Sequence, residues 1–492
     1  MKELRDLRKG LEQAIKPGNE RVVEAMFDVL ERQVSRCNRL EKDNKRLRDR
    51  IAELQQRLDP PPPPSAVKES YSLDAEAKRR QQKARKKKLA TKRKSGRKLK
   101  KDKLDCVRWV DILPDGVGKN ECDLVNERPV WHIEDGRAVR VGYRVHRQSW
   151  QETPRIPGVL PRCEYAIEIH VLLAYLVYMI GMSIDKACQL LQFFCELPIE
   201  RSQADAMLTQ LGRHWAEDFD DICEQLVMAA VVYADETSWR VGRLNSSLWA
   251  FTSELHCVML FGCSKDRQTL ESILPPEEFD GVLVSDDAAV YQQGYQGQKC
   301  WAHLIRKMVK LVLLEPENTA YRTFLDELLS IYRNAKRAAK DRRLGAEGRA
   351  RRVAELEAQL CEICHPHWPN TNPELPRAVS DAETSFRNLV QEFMRLMVAE
   401  QLFEFVLNEA VESTNNLSER QLRSSTLARK SQRTNKTDTG ARRQTNIVSV
   451  LESFRRTLEN FSIRSVVTQV VDSLHFGTRM FQANAPPLPN VV

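Results

Sequence analysis

Apolar positions recur along this chain with two different periods, and the change of period divides it. Between Met26 and Leu58 they fall three and four apart, with Leu30, Cys37, Asn44, Ile51 and Leu58 on one seam and Met26, Gln33, Leu40, Leu47 and Leu54 on the other. These are the a and d positions of a heptad, and Asn at an a site fixes register in a two-stranded coiled coil. Arg36 with Glu41 and Asp43 with Arg48 stand in g-to-e′ relation, so the charges between helices complement each other. The segment predicts a parallel homodimer through residues 26–58. A single docked amphipathic helix gives similar spacing but has no use for a polar a site.

Five prolines, Pro60 to Pro64, end that helix and predict a stiff polyproline II spacer. Beyond them the period shortens to that of strands. Cys106 to Leu160 reads as short strands and turns. Glu168 to Ile180, Ser183 to Phe194 and Ser202 to Phe219 read as three helices, with Ser183 and Ser202 as N-caps and breaks at Gly181 and Pro198. The bundle is a candidate helix-turn-helix. Leu226 to Ala234 is a continuous apolar run of the kind found in buried strands, followed by strand-like runs at Leu248 to Thr252, Val258 to Cys263 and Gly281 to Ser285, with a helical stretch at Arg267 to Leu274. Gln298 to Lys307 passes from a short strand into a basic helix. Val309 to Phe405 is long, charged and helical, with one break at His365 to Pro376.

Length and charge sharpen this picture. The 492 residues correspond to about three structural units. The net charge of +9 is concentrated in Lys78 to Lys103, where 16 Lys and Arg stand against one acid, so the rest of the chain is net acidic. A block this dense cannot bury a core by itself and points to a polyanion, phosphate backbone above all, with a solubilising linker as the plain alternative. It is not a bZIP basic region, because it follows the zipper and is separated from it by the prolines. The longest apolar run, Val171 to Gly181, is too short to span a bilayer, and the first residues lack the apolar core of a signal peptide. Twelve scattered cysteines suit reduced thiols in a cytosol. Cys106, Cys122, His132, His146 and Cys163 lack the close pairing of a zinc module, so zinc is not expected there.

The candidate chemistry lies where apolar runs meet acids. Leu226 to Ala234 is followed by Asp235 and Glu236, and Gly281 to Ser285 by Asp286 and Asp287. Two carboxylates at the ends of neighbouring strands repel unless a divalent cation neutralises them, which is the requirement of two-metal phosphoryl transfer. Taken singly, each Asp is also a good turn or capping residue, and Asp287 is read that way. Further along, Asn416 is a candidate N-cap with Glu419 three residues later. That spacing is a capping box as much as a catalytic acid, and sequence alone leaves both open.

Together these blocks resemble the insertion-sequence transposases of the IS-sixty-six type, also called TnpC, over roughly Pro161 to Val470. The carriers are Tyr233 to Val241 with Leu248 and Trp249, Val282 to Asp286 with Tyr291, Cys300 to Arg306, Thr414 to Arg423, and Arg429 to Ser431, five blocks in order. The resemblance implies a DDE-superfamily enzyme with an RNase H-like core, a catalytic and metal-binding triad of Asp235, Asp286 and Glu419 with Glu412 in reserve, and two Mg²⁺ ions replaceable by Mn²⁺. DNA contacts are expected from His303, Arg306, Lys307, Arg420, Arg423, Arg429 and Lys430, with Lys86, Lys87 and Lys88 of the basic tract. The partners implied are double-stranded DNA, as transposon ends and target, and a second copy of the chain, in the nucleoid of a bacterial or archaeal cytoplasm. An inactive DNA-binding dimer and a metal nuclease of the same fold are the rival readings.

The organisation expected is multidomain α/β. It comprises a coiled coil (20–58), a Pro-rich basic linker (59–104), a strand and turn module (105–163), a helical bundle that is a candidate for DNA binding (164–224), a catalytic core (225–308 and 409–475) interrupted by a helical insertion (309–408), and a tail (476–492).

Overall fold

The structure, a computed structural model, describes Lys45 and residues 105–482 apart from 151, 293, 369–377, 379 and 432. Except for Lys45, the expected coiled coil and the basic linker with Lys86, Lys87 and Lys88 lie outside the described residues, as does the tail beyond 482. The chain divides into two units, residues 1–99 and 100–492, and the description below concerns the second. Among the described residues, thirteen α-helices and two mixed sheets give a mixed α/β architecture.

The first sheet has the order β1-β3-β2, from β1 (Arg108–Ile112), β2 (Leu124–Glu134) and β3 (Arg137–Arg147). Strands β2 and β3 are longer than the short strands expected, at 11 residues each. They form a hairpin closed by Asp135 and Gly136, whose φ angles of 50° and 78° are those of a two-residue primed turn. The side chains weighed as zinc ligands have other partners. His132 Nδ1 lies 2.9 Å from Glu168 and its Nε2 3.0 Å from the Tyr143 hydroxyl, His146 lies 2.7 Å from Asp111, and Cys163 meets His170.

Helix α1 (Ile167–Ala174) continues into a π-helical turn, Tyr175–Met179, and is followed by α2 (Ile184–Cys195), α3 (Arg201–His214) and α4 (Ala216–Val227). Ser183 caps α2 as expected, its Oγ accepting the Lys186 N–H at 3.2 Å. Ser202 does not cap α3. That helix starts one residue earlier, on a capping box of Glu200 and Gln203, because a Glu–Gln pair three apart can bond reciprocally to both backbone ends. The single helix expected to Phe219 is two helices broken at the buried Trp215. Leu226 belongs to α4, so the apolar run read as one strand starts as helix and becomes strand only at Val231.

The second sheet has the order β6-β5-β4-β7-β8, from β4 (Val231–Val241), β5 (Leu244–Thr252), β6 (Cys257–Cys263), β7 (Val282–Ser285) and β8 (Gly297–Lys299), with the short helix α5 (Arg267–Glu271) before β7. Strands β4, β5 and β6 are antiparallel, whereas β7 runs parallel to β4 and β8 parallel to β7. Alternation sorts its residues between two cores. Val232, Ala234 and Leu283 pack with α1 to α4, and Val231, Tyr233, Val282 and Val284 pack with the helices of the long insertion. The first of these, α6 (Trp301–Leu314), starts in the core segment and runs into the insertion, which continues as α7 (Thr319–Lys340), α8 (Ala346–Cys364), α9 (Asp381–Val398) and the short α10 (Glu404–Leu407).

Three helices complete the order: α11 (Asn416–Lys430), α12 (Asp438–Thr457) and α13 (Ile463–Phe476). Helix α12 covers the edge strand β6 in an unusual way. Thr445, Ser449 and Ser453, four residues apart, accept the backbone N–H groups of Phe261, Met259 and Cys257 at 3.0, 2.9 and 3.1 Å. One helical turn and a bit more, about 6 Å, matches two strand residues, about 6.8 Å, so three hydroxyls in register satisfy an edge that would otherwise template another strand.

Candidate active site

Asp235 is not at the end of its strand, as the apolar run suggested, but in the middle of β4. It is reachable because β4 loses its neighbour there: the pairing with β7 ends at Tyr233 opposite Val284. Continuing that parallel register by two residues brings Asp235 level with Asp286, the residue after β7. The two acids required to be neighbours are close enough for the Asp286 charge to raise the Asp235 carboxyl.

Alternation also places Glu236 on the opposite face, where the Tyr291 hydroxyl donates to it and Lys265 pairs with it. Odd-numbered residues in the second half of β4 face α11, as the Thr237–Arg429 bond and the joint packing of Trp239, Val241 and Leu422 show. Asp235 thus looks towards the helix that carries Glu419.

The start of α11 is fastened to β4 by one fully buried side chain. Asn415 Nδ2 donates to the Ala234 carbonyl at 2.7 Å, and its Oδ1 accepts the Ser418 hydroxyl at 2.5 Å. Asn415, not the expected Asn416, stands at the N-cap position, and its side chain does not cap the helix. The Glu419 carboxylate does not cap either. Its Oε1 accepts from Arg306 Nη2 at 3.1 Å and lies 3.7 Å from His303 Nε2. The capping box read from Asn416 does not form: with Asn415 at the N-cap position Glu419 is the fourth helical residue, one too far along for the reciprocal bond. Glu412 is exposed, with its N–H on the Tyr233 hydroxyl.

The electrostatics follow from this crowding. Burial pushes the Asp235 carboxyl up to about 7, and Glu236, Asp286 and then Glu419 add to the rise, against the Glu236 N–H that its Oδ1 accepts at 2.9 Å. Glu236 is answered by Lys265, Glu419 by Arg306, Asp287 by Arg395, and Glu392 of α9 by Lys307. Among the described residues Asp235 and Asp286 have no ion-pair partner, and Asp286 Oδ1 accepts the Ala288 N–H at 2.9 Å. Beneath them Lys299 is buried, with Nζ donating to Ser285 Oγ at 3.0 Å and to the Tyr291 carbonyl at 3.1 Å. Its pKa is lowered to about 8 by that burial.

The residues expected on DNA divide into two groups. Lys307 is paired with Glu392, and Arg429 donates to Thr237 Oγ1 at 3.0 Å and to Ser238, joining α11 to β4. Arg420, Arg423 and Lys430 are exposed on α11, while His303 and Arg306 turn to Glu419.

Residues 163–443 match the Transposase IS66 family. The chain belongs to that family. No curated protein matches it. As a transposase-family chain it is a nucleic-acid-acting protein, and no helix among its described residues is long and apolar enough to cross a membrane. Against this background the sequence reading gave no site role to Glu236, Lys265, Lys299 or Asn415, although Glu236 and Asn415 lie within the blocks it singled out. Alternation from Asp235 was the available sign that Glu236 serves the opposite face, whereas Lys265, Lys299 and Asn415 reveal themselves only through contacts distant in sequence.

Proposed function

We propose that this protein is a DNA transposase of the DDE type, with an RNase H-like core formed by residues 225–308 and 409–475, in which Asp235, Asp286 and Glu419 hold two divalent ions, Mg²⁺ or Mn²⁺. One observation carries this reading: where Glu236, Glu419, Asp287 and Glu392 each have a cation, Asp235 on β4 and Asp286 just after β7 have none among the described residues. An all-carboxylate donor set with uncompensated charge suits a hard divalent ion. The sheet order supports the fold, with three antiparallel strands followed by two parallel ones and the acids on the central strand and its parallel neighbour.

The metal ions supply an activated water or 3′-hydroxyl and charge stabilisation at the leaving 3′ oxygen. The chain's own residues do the positioning. Arg306 and His303 hold Glu419, Asn415 sets the distance between α11 and β4, and Lys265 with Tyr291 keeps Glu236 from the metal face. Arg420, Arg423 and Lys430 offer charge to phosphates beside the acids. The proposal includes a homodimer through residues 26–58 that pairs two double-stranded DNA ends, and salt-sensitive affinity from Lys86, Lys87 and Lys88.

The test is cleavage and strand transfer on DNA carrying the sequences that flank the gene, in Mg²⁺ and in Mn²⁺. Asp235→Asn, Asp286→Asn and Glu419→Gln each lower the rate by about a hundredfold or more, and Glu412→Gln leaves it within a few-fold. Retained activity in Asp235→Asn overturns the reading. Cleavage without joining turns it into a nuclease.

A further inference from the structure

Beside the three acids lies a second donor set of different chemistry. Cys300, His303 and Glu419 each offer one ligand atom, and these atoms all lie within 4.8 Å of one another. Cys300 and His303 are one turn apart at the start of α6, and Glu419 reaches them from α11. Asn415 donates its N–H to the Cys300 sulfur at 3.2 Å, which fixes the position of that side chain. His303 has Nε2 3.7 Å from Glu419 and a buried Nδ1 without a hydrogen-bond partner among the described residues. Sulfur, imidazole and carboxylate together are the donors of a borderline-soft ion, and three protein ligands with an open fourth place are the stoichiometry of a non-structural zinc site. Ligands of a tetrahedral zinc stand about 3.5 Å apart, so side-chain adjustments of about an ångström close the set.

We propose that Cys300, His303 and Glu419 form a site for a zinc-class transition-metal ion, distinct from the hard-ion site on Asp235 and Asp286. Glu419 is common to both sets, so a soft ion on the cysteine side competes for the carboxylate that the hard ions use. Only this competition rests on the transposase reading; the binding itself does not.

The test is an anaerobic Co²⁺ titration of the full chain without DNA, followed by displacement with Zn²⁺. The expected result is one equivalent of Co²⁺ with a thiolate-to-cobalt charge-transfer band, and visible bands of a four-coordinate site that Zn²⁺ removes. The chain has twelve cysteines, so the assignment needs variants. Cys300→Ser loses the charge-transfer band, His303→Gln weakens binding by about tenfold or more, and Asp235→Asn keeps both band and affinity. A band that persists in Cys300→Ser, or no thiolate-bound Co²⁺ in the wild type, overturns the proposal. If Cys300→Ser does not fold, the half-exposed His303→Gln decides, and an unchanged spectrum and affinity there refutes the site. Since DNA is absent, failure of the cleavage assay leaves this outcome unaffected.

Discussion

Replacing Asn415 tests whether one amide holds the start of α11 against β4. The parallel pairing of β4 with β7 ends at Tyr233, and the next carbonyl, Ala234, takes the Asn415 amide at 2.7 Å in a fully buried place. Asn415→Ala removes that donor. The Ser418 hydroxyl keeps an acceptor, because it also lies 3.2 Å from the Asn415 carbonyl, so the loss centres on one orphaned backbone oxygen and costs about 1–3 kcal/mol. Asn415→Asp is the sharper variant. It keeps an acceptor for Ser418 but sets a carboxylate against the Ala234 carbonyl, so at pH 8 it destabilises more than Ala does. At low pH the protonated acid donates to that carbonyl and recovers part of the loss.

The assay is urea unfolding of the full chain followed by tryptophan fluorescence, at pH 8 and pH 5, for wild type and both variants. The expected order at pH 8 is wild type, Ala, Asp, with the gap between Ala and Asp narrowing at pH 5. If Asn415→Ala falls within about 0.5 kcal/mol of wild type, or Asn415→Asp matches wild type at pH 8, the amide is not the fastening described.

Other perturbations follow from the same contacts. Ser449→Ala removes the acceptor of the Met259 N–H and lowers stability by about 1–3 kcal/mol in the same unfolding assay, whereas Ser449→Thr keeps it. Burial holds His170 down to about 4 against 6.5 when unfolded, so the unfolded chain binds the extra proton between these values. Stability is full above pH 6.5 and falls as pH drops towards 4, by at most about 3 kcal/mol, and His170→Gln flattens that slope in melts recorded from pH 7 to 4. Asp218 has the opposite sign. Its carboxyl, which accepts the Met480 N–H at 2.9 Å, is raised from 3.8 to about 6 by burial, so its contribution is full below 3.8 and is lost as pH rises through 6. Asp218→Asn therefore stabilises at pH 8 relative to pH 4, and a uniform shift at both pH values would contradict this account. Glu236→Gln removes the largest like-charge contribution on Asp235 and lowers its pKa from about 7, read by carboxyl carbon NMR.

Legibility in the sequence followed the range of the interactions. The strands at 248–252, 258–263 and 282–285 and the helices flanking the 365–376 break were readable because local period and breakers decide them. Asp235 and Asp286 stood out because an acid after a buried apolar run is conspicuous. Leu226 misled because a short apolar run is helix or strand alike, and the choice was made by the packing of α4. Glu419 was ambiguous for a related reason: three residues after a polar cap position, a Glu can bond backward to the cap or outward to another element. Arg306, read from the sequence as a DNA contact, decides the matter by pairing with Glu419 from 113 residues away, and spacing gives no sign of that pairing. The hydroxyl row at 445, 449 and 453 was visible as a spacing, but its meaning depends on the edge strand it meets.

The distribution of cations explains why the site is built from so many elements. Each acid near Asp235 is a liability to it, since like charges add to the rise that burial already imposes on that carboxyl. A protein cation placed directly on Asp235 and Asp286 would relieve this and would also cancel the charge on which the proposed divalent ions depend. The fold instead answers the surrounding acids one by one, from the β6–α5 connection with Lys265, from α6 with Arg306 and Lys307, and from α9 with Arg395. Buried Lys299 approaches from beneath and spends its donors on Ser285 Oγ and the Tyr291 carbonyl, not on the carboxylates. Neutralising the periphery while leaving the centre uncompensated concentrates the negative potential on two carboxylates. This arrangement ties the long helical insertion to the acids, because α9 belongs to it and supplies Arg395, while Arg306 and Lys307 come from the first turns of α6, before residue 309.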